Sequence, residues 1–300
     1  MTKQTPSINK TVLMSGVDYF DDAAAINPFM NSSLAIDREV ASQEHHAIQQ
    51  SLEAAGVNVV RVTPPVDCQD GVYTANWALV RGNKAVMSRL PNARQQEEAY
   101  AEQVLRDLGK EIVHVPEGLR FSGQGDALPC GDLLFCGQGY RSDEAAQSFA
   151  AEALGYERVQ LQTVPKTNWR GRPVANKASG WPDSFFYDID LALSILRIPT
   201  STHPGLIAWC PEAFTRESQQ ILRDLDTVEK IEVSLHEAKV AFACNLVSTG
   251  QTVIMSATAP MLRTELEQRG FTVVTPTISE LLKGGGYIRC TTLSLYNKIS

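Results

Sequence analysis

Residues 143–164 read DEAAQSFAAEALGYERVQLQTV, and this stretch carries the pattern on which the fold depends. Its first half has the spacing of an amphipathic helix as far as Leu154. Gly155 suits the position just after a helix, where a left-handed conformation costs glycine no Cβ clash. A β-rich run follows, so the stretch predicts one unit of helix, turn and strand.

The same unit recurs four more times along the 300 residues. The other predicted helices and their turn residues are 37–55 with Gly56, 94–108 with Gly109, 211–225 with Asp226, and 259–269 with Gly270. With Gly155 included, successive turn residues lie 53, 46, 71 and 44 positions apart. One unit therefore carries an insertion of about 25 residues, which we assign to residues 166–184, rich in Gly, Pro, Asn and Ser and typical of an active-site loop.

Short strand-like runs separate these units, so each unit comprises several strands and one helix. The runs are TVLMS, WALVRGNKAVMS, DLLFCG, GLIAWC, VSTGQTVIMS and YIRCTTLSL. Five units without a low-complexity linker favour one closed, pseudosymmetric α/β domain over residues 1–300. The alternative is a doubly wound sheet, but the sequence has neither a GxGxxG after the first strand nor a GxxxxGK[ST].

Composition excludes several classes of function. The chain has 34 acidic and 27 basic residues, a net charge of −7, and no long Lys/Arg run, which argues against binding to nucleic acid or anionic membranes. The stretch MTKQTPSINKTV has no apolar segment, and no window approaches 18 apolar residues, so we expect a cytoplasmic protein without a membrane anchor. The six cysteines form no CxxC and no Cys/His cluster, which favours reduced thiols over disulfides or zinc.

Four polar segments fall where a core would be apolar, and two of them carry reactive groups. KGGGYIRCTTLSL places three glycines before a predicted strand with Cys290, so that a ligand can approach the backbone closely; a buried inert thiol is the alternative. SFFYDIDLALSIL places Asp188 and Asp190 on one side of a strand entering a helix. Such a pair either binds a cation or has one raised pKa, and helix N-capping is the alternative.

The other two segments contain polar residues beside turns. RFSGQGDALPCGDLLFCGQGYRSD carries Asp126 after two glycines and Arg141 after a second glycine-rich turn. DGVYTANWALV carries Asn76 at the end of a predicted strand. Ordinary turns explain these glycines and this asparagine equally well.

Taken together and in this order, the segments resemble the guanidino-group-modifying (pentein) superfamily, and within it the dimethylargininase and arginine deiminase-like branch. VLMSGVDYFDDAAAINPFM is similar to the N-terminal segment of the family and VYTANWALV to its substrate-binding strand end. FSGQGDAL resembles the Glu-Gly-x-Gly-Asp signature, FYDIDLALSIL the His-x-Asp signature, and GGGYIRCTTL the C-terminal nucleophile motif. The resemblance implies a five-bladed α/β propeller of ββαβ-type units around a central pocket, in agreement with the five units.

The resemblance also implies a Cys-dependent hydrolase that acts on the C–N bond of a guanidino or amidino compound. Cys290 would attack as a thiolate, an amine would leave, and water would hydrolyse the amidino-thioether. Asn76, Asp126 and Asp190 would surround the guanidinium, and Arg141 would bind a substrate carboxylate. We expect no metal and no cofactor; the expected partner is this small-molecule substrate, and homo-oligomer formation stays open.

The sequence departs from the family at one pair of positions. The catalytic histidine of His-x-Asp is replaced by Asp188, and the glutamate that supports it by Ser122. Asp188 could serve as acid/base with a raised pKa, or as a further ligand for a different cationic substrate. The protein could instead bind guanidino ligands without turnover, transfer the amidino group to an amine, or serve as a scaffold. His203 is the only histidine placed to substitute, and Asn76, where many deiminases have Asp, weighs against free arginine.

Overall fold

Fifteen strands in the described residues 6–30, 35–177 and 179–297 of the computed structural model form five three-stranded sheets of one design. In every sheet the middle strand pairs antiparallel with one neighbour and parallel with the other. The first five residues of the predicted anchor-free N-terminal stretch and residue 178 of the predicted insertion lie outside the described ranges.

Each sheet runs from an antiparallel edge strand through the middle strand to a parallel edge strand. In that order the strands are β15 (Leu293–Ser294), β1 (Thr11–Met14) and β2 (Asn58–Arg61); β3 (Ala78–Arg81), β4 (Lys84–Met87) and β5 (Glu111–His114); β6 (Ala127–Cys130), β7 (Leu133–Gln138) and β8 (Glu157–Gln162); β9 (Leu193–Arg197), β10 (Gly205–Trp209) and β11 (Val228–Glu232); and β12 (Val247–Ser248), β13 (Thr252–Ile254) and β14 (Thr272–Val274). We call the antiparallel edge strands β3, β6, β9, β12 and β15 the inner strands, because they or the turns before them contact one another between the sheets.

One helix connects the two parallel strands of each sheet, as the repeat predicts. These helices are α1 (Arg38–Ala54), α2 (Gln96–Asp107), α4 (Glu144–Leu154), α5 (Arg216–Asp224) and α7 (Pro260–Gln268); α3 (Gly123–Asp126) and α6 (Leu235–Val240) are short additions. The turn glycines 56, 109, 155 and 270 all have positive φ, between 67° and 84°, as expected after a helix. The predicted helix 211–225 is interrupted, because Thr215 is extended and its side chain caps α5 by accepting from the N–H of Ser218.

The five sheets are arranged in a ring, and the ring closes where β15, near the end of the chain, pairs with β1, near its start. Val12 lies opposite Ser294 and Leu13 opposite Leu293, so the first sheet takes one strand from each end of the chain. Among the described helices, none combines the length and the apolar composition needed to cross a bilayer. All six cysteines are free and buried.

Three predicted local structures are wrong, for a common reason. Cys290 lies in a turn before β15 rather than on a strand, and Asn76 ends a single 3₁₀ turn, Thr74–Asn76, before β3. Asp188 and Asp190 lie at and within the 3₁₀ turn Ile189–Leu191, which leads into a strand and not a helix. Alternating apolar residues suggest longer strands, but the polar side chains must leave the ladder to face the centre of the ring.

The predicted insertion folds back on itself beside the N-terminal segment. Two isolated bridges, Thr167 with Pro173 and Ala175 with Pro182, give it a hairpin-like course. The Asn176 side chain donates to the Ala25 carbonyl at 3.3 Å, one residue before the cavity wall described below. The insertion therefore lies next to the site, and its role as an active-site loop stays a prediction.

Candidate active site

A buried polar side chain precedes each of the five inner strands. Asn76 comes before β3, Asp126 before β6, Asp190 before β9, Asn245 before β12 and Cys290 before β15, and each is at most 3% exposed. The repeat thus delivers one functional group per unit to the centre of the ring. Sequence analysis found four of these residues and missed Asn245, although the repeat itself pointed to a fifth polar residue just before VSTGQTVIMS.

The Cys290 thiol is fixed by a carboxyl group and an amide. Its sulfur lies 3.4 Å from Asp190 Oδ2 and 3.1 Å from Asn245 Nδ2. The backbone N–H of Cys290 donates to Asn245 Oδ1 at 3.2 Å, so one asparagine holds both the backbone and the sulfur. On the other side, the Ala75 N–H donates to the Cys290 carbonyl at 3.1 Å. This cysteine is therefore held rigidly although it lies in a turn.

Asp188 is bound to different partners. Its Oδ2 accepts from Asn76 Nδ2 at 2.9 Å and from Arg141 Nη1 at 3.3 Å. Within the described residues, Asp188 Oδ1 and Arg141 Nη2 are buried without a hydrogen-bond partner, which leaves both free for a ligand. The Arg141 guanidinium also stacks 4.0 Å from the centre of the Tyr187 ring. The Asp188 side chain makes no capping hydrogen bond, so the capping alternative does not apply.

The two positions that depart from the family pattern are neighbours in space. Asn76 Nδ2 donates to Ser122 Oγ at 2.9 Å as well as to Asp188 Oδ2. A Cβ on Gly125 would lie 3.0 Å from Asp188 Oδ2, so the backbone of α3 also packs directly against this group. The two replaced residues, Ser122 and Asp188, are therefore linked through one shared donor, the amide of Asn76.

A buried ion pair behind Asn76 escaped the sequence analysis. Arg94 donates through Nη1 to Asn76 Oδ1 at 2.8 Å, and through Nε and Nη2 to both carboxylate oxygens of Glu97, each at 2.7 Å. Arg94 is 1% exposed. The only available signal was the Arg–Glu spacing of three residues at a helix start, which solvated surface pairs share.

These groups surround a small cavity beside the Cys290 thiol. Of the predicted site residues, Asn76, Arg141, Asp188 and Cys290 line it, whereas Asp126 and Asp190 stand behind the wall. Asp126 accepts the Ile189 N–H at 3.0 Å and Asp190 contacts the thiol. The wall also includes two of the three glycines singled out in the sequence, Gly284 and Gly286. Six further wall residues were not selected from the sequence: Ile26, Asn27, Asp70, Tyr73, Arg94 and Tyr187.

The three consecutive glycines allow close packing in the segment before Cys290. A Cβ on Gly284 would collide with the Tyr73 hydroxyl and the Phe20 ring, and one on Gly286 with the Tyr73 ring. A Cβ on Gly285, whose φ is +86°, would collide with Asn27. Tyr73 in turn donates its hydroxyl to the Leu281 carbonyl at 2.6 Å. The glycines thus let the segment before Cys290 close onto the cavity wall.

Burial favours the neutral forms of the acidic groups at this site. Burial, assisted by Asp188, raises the pKa of Asp190 to about 8 and the pKa of Asp126 well above its usual range. Burial, and then Asp190, raises the pKa of the Cys290 thiol. Burial also raises the pKa of Asp70 on the cavity wall to about 6. Without a ligand, the thiol and the carboxyl group beside it are therefore both protonated at neutral pH.

His203, the histidine that the sequence offered as a substitute, does not line this cavity. His203 is exposed and makes its hydrogen bonds within its own loop, to Thr200. In the part of the chain that the structure describes, no group of three His, Cys, Asp or Glu side chains is arranged to hold a metal ion.

Comparisons with known proteins identify the family. A family model described as "N,N dimethylarginine dimethylhydrolase, eukaryotic" matches residues 18–175. The N(G),N(G)-dimethylarginine dimethylaminohydrolase of Mycobacterium tuberculosis is 31% identical over 299 residues, which cover 98% of this chain and 88% of the relative. The chain belongs to the dimethylarginine dimethylaminohydrolase family.

Other relatives of this member of the dimethylarginine dimethylaminohydrolase family are arginine dihydrolases. The bifunctional arginine dihydrolase/ornithine cyclodeaminase AgrE of Nostoc sp. is 31% identical over 94% of this chain, which spans 37% of AgrE. The N-terminal domain of ArgZ, a cyanobacterial arginine dihydrolase solved with its substrate, has a TM-score of 0.82 and 28% identity, covering 97% of this chain and 99% of that one. The predicted superfamily, five-unit propeller and hydrolase class are confirmed.

Proposed function

We propose that this protein hydrolyses a C–N bond in the guanidino group of arginine or an N-methylated arginine, through a covalent amidino-thioether on Cys290. The observation that carries the proposal is the Cys290 thiol, held between the Asn245 amide and the Asp190 carboxyl group at the edge of a cavity. Two sets of relatives act on such compounds by name, dimethylarginine and arginine. The ArgZ domain has also been solved covalently bound to a reaction intermediate, at 27% identity.

The polar groups on the wall suit an amino acid with a guanidinium group. The unpartnered Asp188 Oδ1 is free to accept from the planar N–H fork of a guanidinium, with Asn76 holding the other carboxylate oxygen. Arg141 keeps its proposed role as the ligand of the substrate carboxylate through its free Nη2. Asp126 fixes the backbone of the Asp188–Asp190 turn, so its proposed contribution to substrate binding is indirect.

The contacts favour exchanging the roles predicted for the two aspartates. Asp190, predicted as a substrate ligand, is the carboxyl group in contact with sulfur, whereas Asp188, predicted as the acid/base, is bound to Arg141 and Asn76. A guanidinium in the cavity lowers the pKa values of both Asp190 and Cys290, because its positive charge favours their anionic forms. Substrate binding therefore prepares both the base and the nucleophile.

In the proposed reaction, Asp190 accepts and donates the proton in every step. The Asp190 carboxylate accepts the thiol proton, and the Cys290 sulfur bonds to the guanidino carbon. The C–N bond breaks, and the leaving amine takes the proton from Asp190. Water next gives a proton to Asp190 and bonds to the amidino carbon, the C–S bond breaks, and the proton returns to the sulfur. The products are an amine and a ureido compound.

We also propose that residues 1–300 act as one domain. The argument is the pairing of β15 with β1, because a sheet that contains both ends of the ring ties all five units together.

The test is to incubate the protein with arginine, monomethylarginine and dimethylarginine, and to follow amine release and ureido product. Cys290→Ala should abolish turnover yet bind the same ligands, and a chloroacetamidine label should modify Cys290 selectively unless a guanidino ligand protects it. If no substrate gives product while wild type and Cys290→Ala bind equally, the protein is a binder. If product appears only with an added amine, as a transferred amidine, the protein is an amidinotransferase.

A further inference from the structure

We propose that a second cavity, at the opposite end of the inner strands, binds a small organic carboxylate through Arg289 and Ser194. This cavity has a volume of about 110 Å³. Its wall includes Ile195 of β9 and Ser294 of β15, whereas the active-site cavity is lined by Asp188 and Cys290, which precede these two strands. Arg289 and Cys290 are consecutive in sequence and line different cavities.

Arg289 is a buried cation without a carboxylate partner. It is 7% exposed, and it donates to the Thr292 carbonyl and to Gln124 Oε1, both at 2.8 Å. Within residues 6–30, 35–177 and 179–297, no carboxylate oxygen lies within 4.0 Å of it, whereas the equally buried Arg94 has a carboxylate at 2.7 Å. A buried charge held only by neutral acceptors is costly, so an anion that reaches it gains correspondingly.

The carboxyl group of Asp190, which lies on the active-site side, does not neutralise Arg289. Burial lowers the pKa of Arg289, and Asp190 opposes that change from the active-site side. The pKa of Asp190 is about 8, so this aspartate is itself mostly neutral at pH 7. The guanidinium therefore carries an unbalanced charge beside an open cavity.

The Ser194 hydroxyl is a second, independent observation that points to a ligand in this cavity. It is 4% exposed, lines the same cavity, and its hydroxyl finds no hydrogen-bond partner in the described part of the chain. A buried hydroxyl without a partner is uncommon, and a ligand oxygen would satisfy it. The exposed Lys10 at the edge of this cavity adds positive charge.

The rest of the wall determines the class of ligand. Leu128, Leu193, Ile195, Ile198 and Leu246 form an apolar surface next to the cationic group. An aliphatic chain packs against that surface while a carboxylate reaches Arg289, which favours an organic anion over inorganic phosphate.

The experiment measures hexanoate binding to the wild-type protein by calorimetry, with hexanol and inorganic phosphate as comparisons. We expect hexanoate to bind, and Arg289→Gln to weaken it about tenfold or more, because a charge-assisted hydrogen bond is lost. Ser194→Ala should weaken it by about threefold to tenfold. Arg141→Gln removes the guanidinium of the active-site cavity and should leave hexanoate affinity unchanged; this matched control separates the two cavities and does not depend on catalysis.

Four outcomes would overturn the proposal. Undetectable hexanoate binding would do so, as would equal binding of hexanol, which would mean an apolar cavity only. Binding of phosphate in preference to hexanoate would reject the organic ligand. Loss of hexanoate affinity in Arg141→Gln but not in Ser194→Ala would place the ligand in the active site. Thermal unfolding of Arg289→Gln reports whether it is folded, and Ser194→Ala keeps the test decisive if it is not.

Discussion

Replacement of Asp190 by Asn should make the fold more stable at pH 8 while it disables the thiol. The pKa of Asp190 is about 8 in the folded protein, against an ordinary value of 3.8. Between these pH values the folded state holds a proton that the unfolded state has lost, so the free energy of unfolding falls as pH rises from about 4 to 8. An asparagine side chain cannot ionise, so the Asp190→Asn variant should lack this loss.

The size of the effect follows from the linkage relation. Each pKa unit corresponds to about 1.4 kcal/mol, which sets an upper limit of roughly 5 kcal/mol between pH 4 and 8. The neighbouring Asp126, whose pKa is also raised, titrates together with Asp190, so we expect on the order of 3 kcal/mol for Asp190 alone. Urea unfolding at pH 5 and pH 8 measures this effect. Between these pH values the free energy of unfolding should fall by about 3 kcal/mol less in Asp190→Asn than in the wild-type protein.

Two further measurements make this prediction sharp. The exposed Asp226, changed to Asn, is the control and should keep the wild-type decline in stability. In the wild-type protein, kcat/KM should rise as pH increases through about 8, where Asp190 becomes able to accept a proton, and Asp190→Asn should lower it by about 10²- to 10⁴-fold. An Asp190→Asn variant that loses as much stability between pH 5 and 8 as wild type would refute the reasoning.

Three other substitutions test the architecture of the site. Glu97→Gln leaves a buried guanidinium unpaired and should lower the free energy of unfolding by about 3–5 kcal/mol in urea unfolding, whereas Glu102→Gln, in a surface pair, should cost less than about 1 kcal/mol. Gly286→Ala inserts a methyl group into the neighbouring tyrosine ring and should cost about 1–3 kcal/mol, read as a lower Tm. Asn245→Ala removes both contacts to Cys290 and should lower kcat on the order of 10²-fold, together with a lower Tm because the buried Cys290 N–H loses its acceptor; unchanged kcat would contradict a positioning role.

The repeat made the architecture predictable, because periodic apolar helices and positive-φ glycines are local features. Gly56, Gly109, Gly155 and Gly270 mark helix ends whatever their surroundings. The exact strand limits were not predictable, since alternation of apolar residues continues through turns such as the one that carries Cys290.

The chemistry of the site was only partly predictable, because it depends on contacts between distant units. Asp188 and Asp190 could be selected, but their partners could not: one lies beside Arg141 and the other beside Cys290. Arg94 was indistinguishable from a surface charge until its burial was known. Asn245 was missed although the five-unit pattern required a residue in its position, so the repeat carried more information than its individual motifs.

The pairing of β15 with β1 has a consequence for how the active protein forms. Cys290 lies three residues before β15, and β15 reaches its partner across almost the whole chain, with Val12 opposite Ser294. Contacts of such high sequence separation form late and slowly. A chain that has assembled four sheets but not the fifth has Cys290, the proposed nucleophile, outside the ring, away from Asp190 and Asn245. Recovery of turnover during refolding should therefore lag behind recovery of secondary structure, and the enzyme's own activity reports the time of its last folding step.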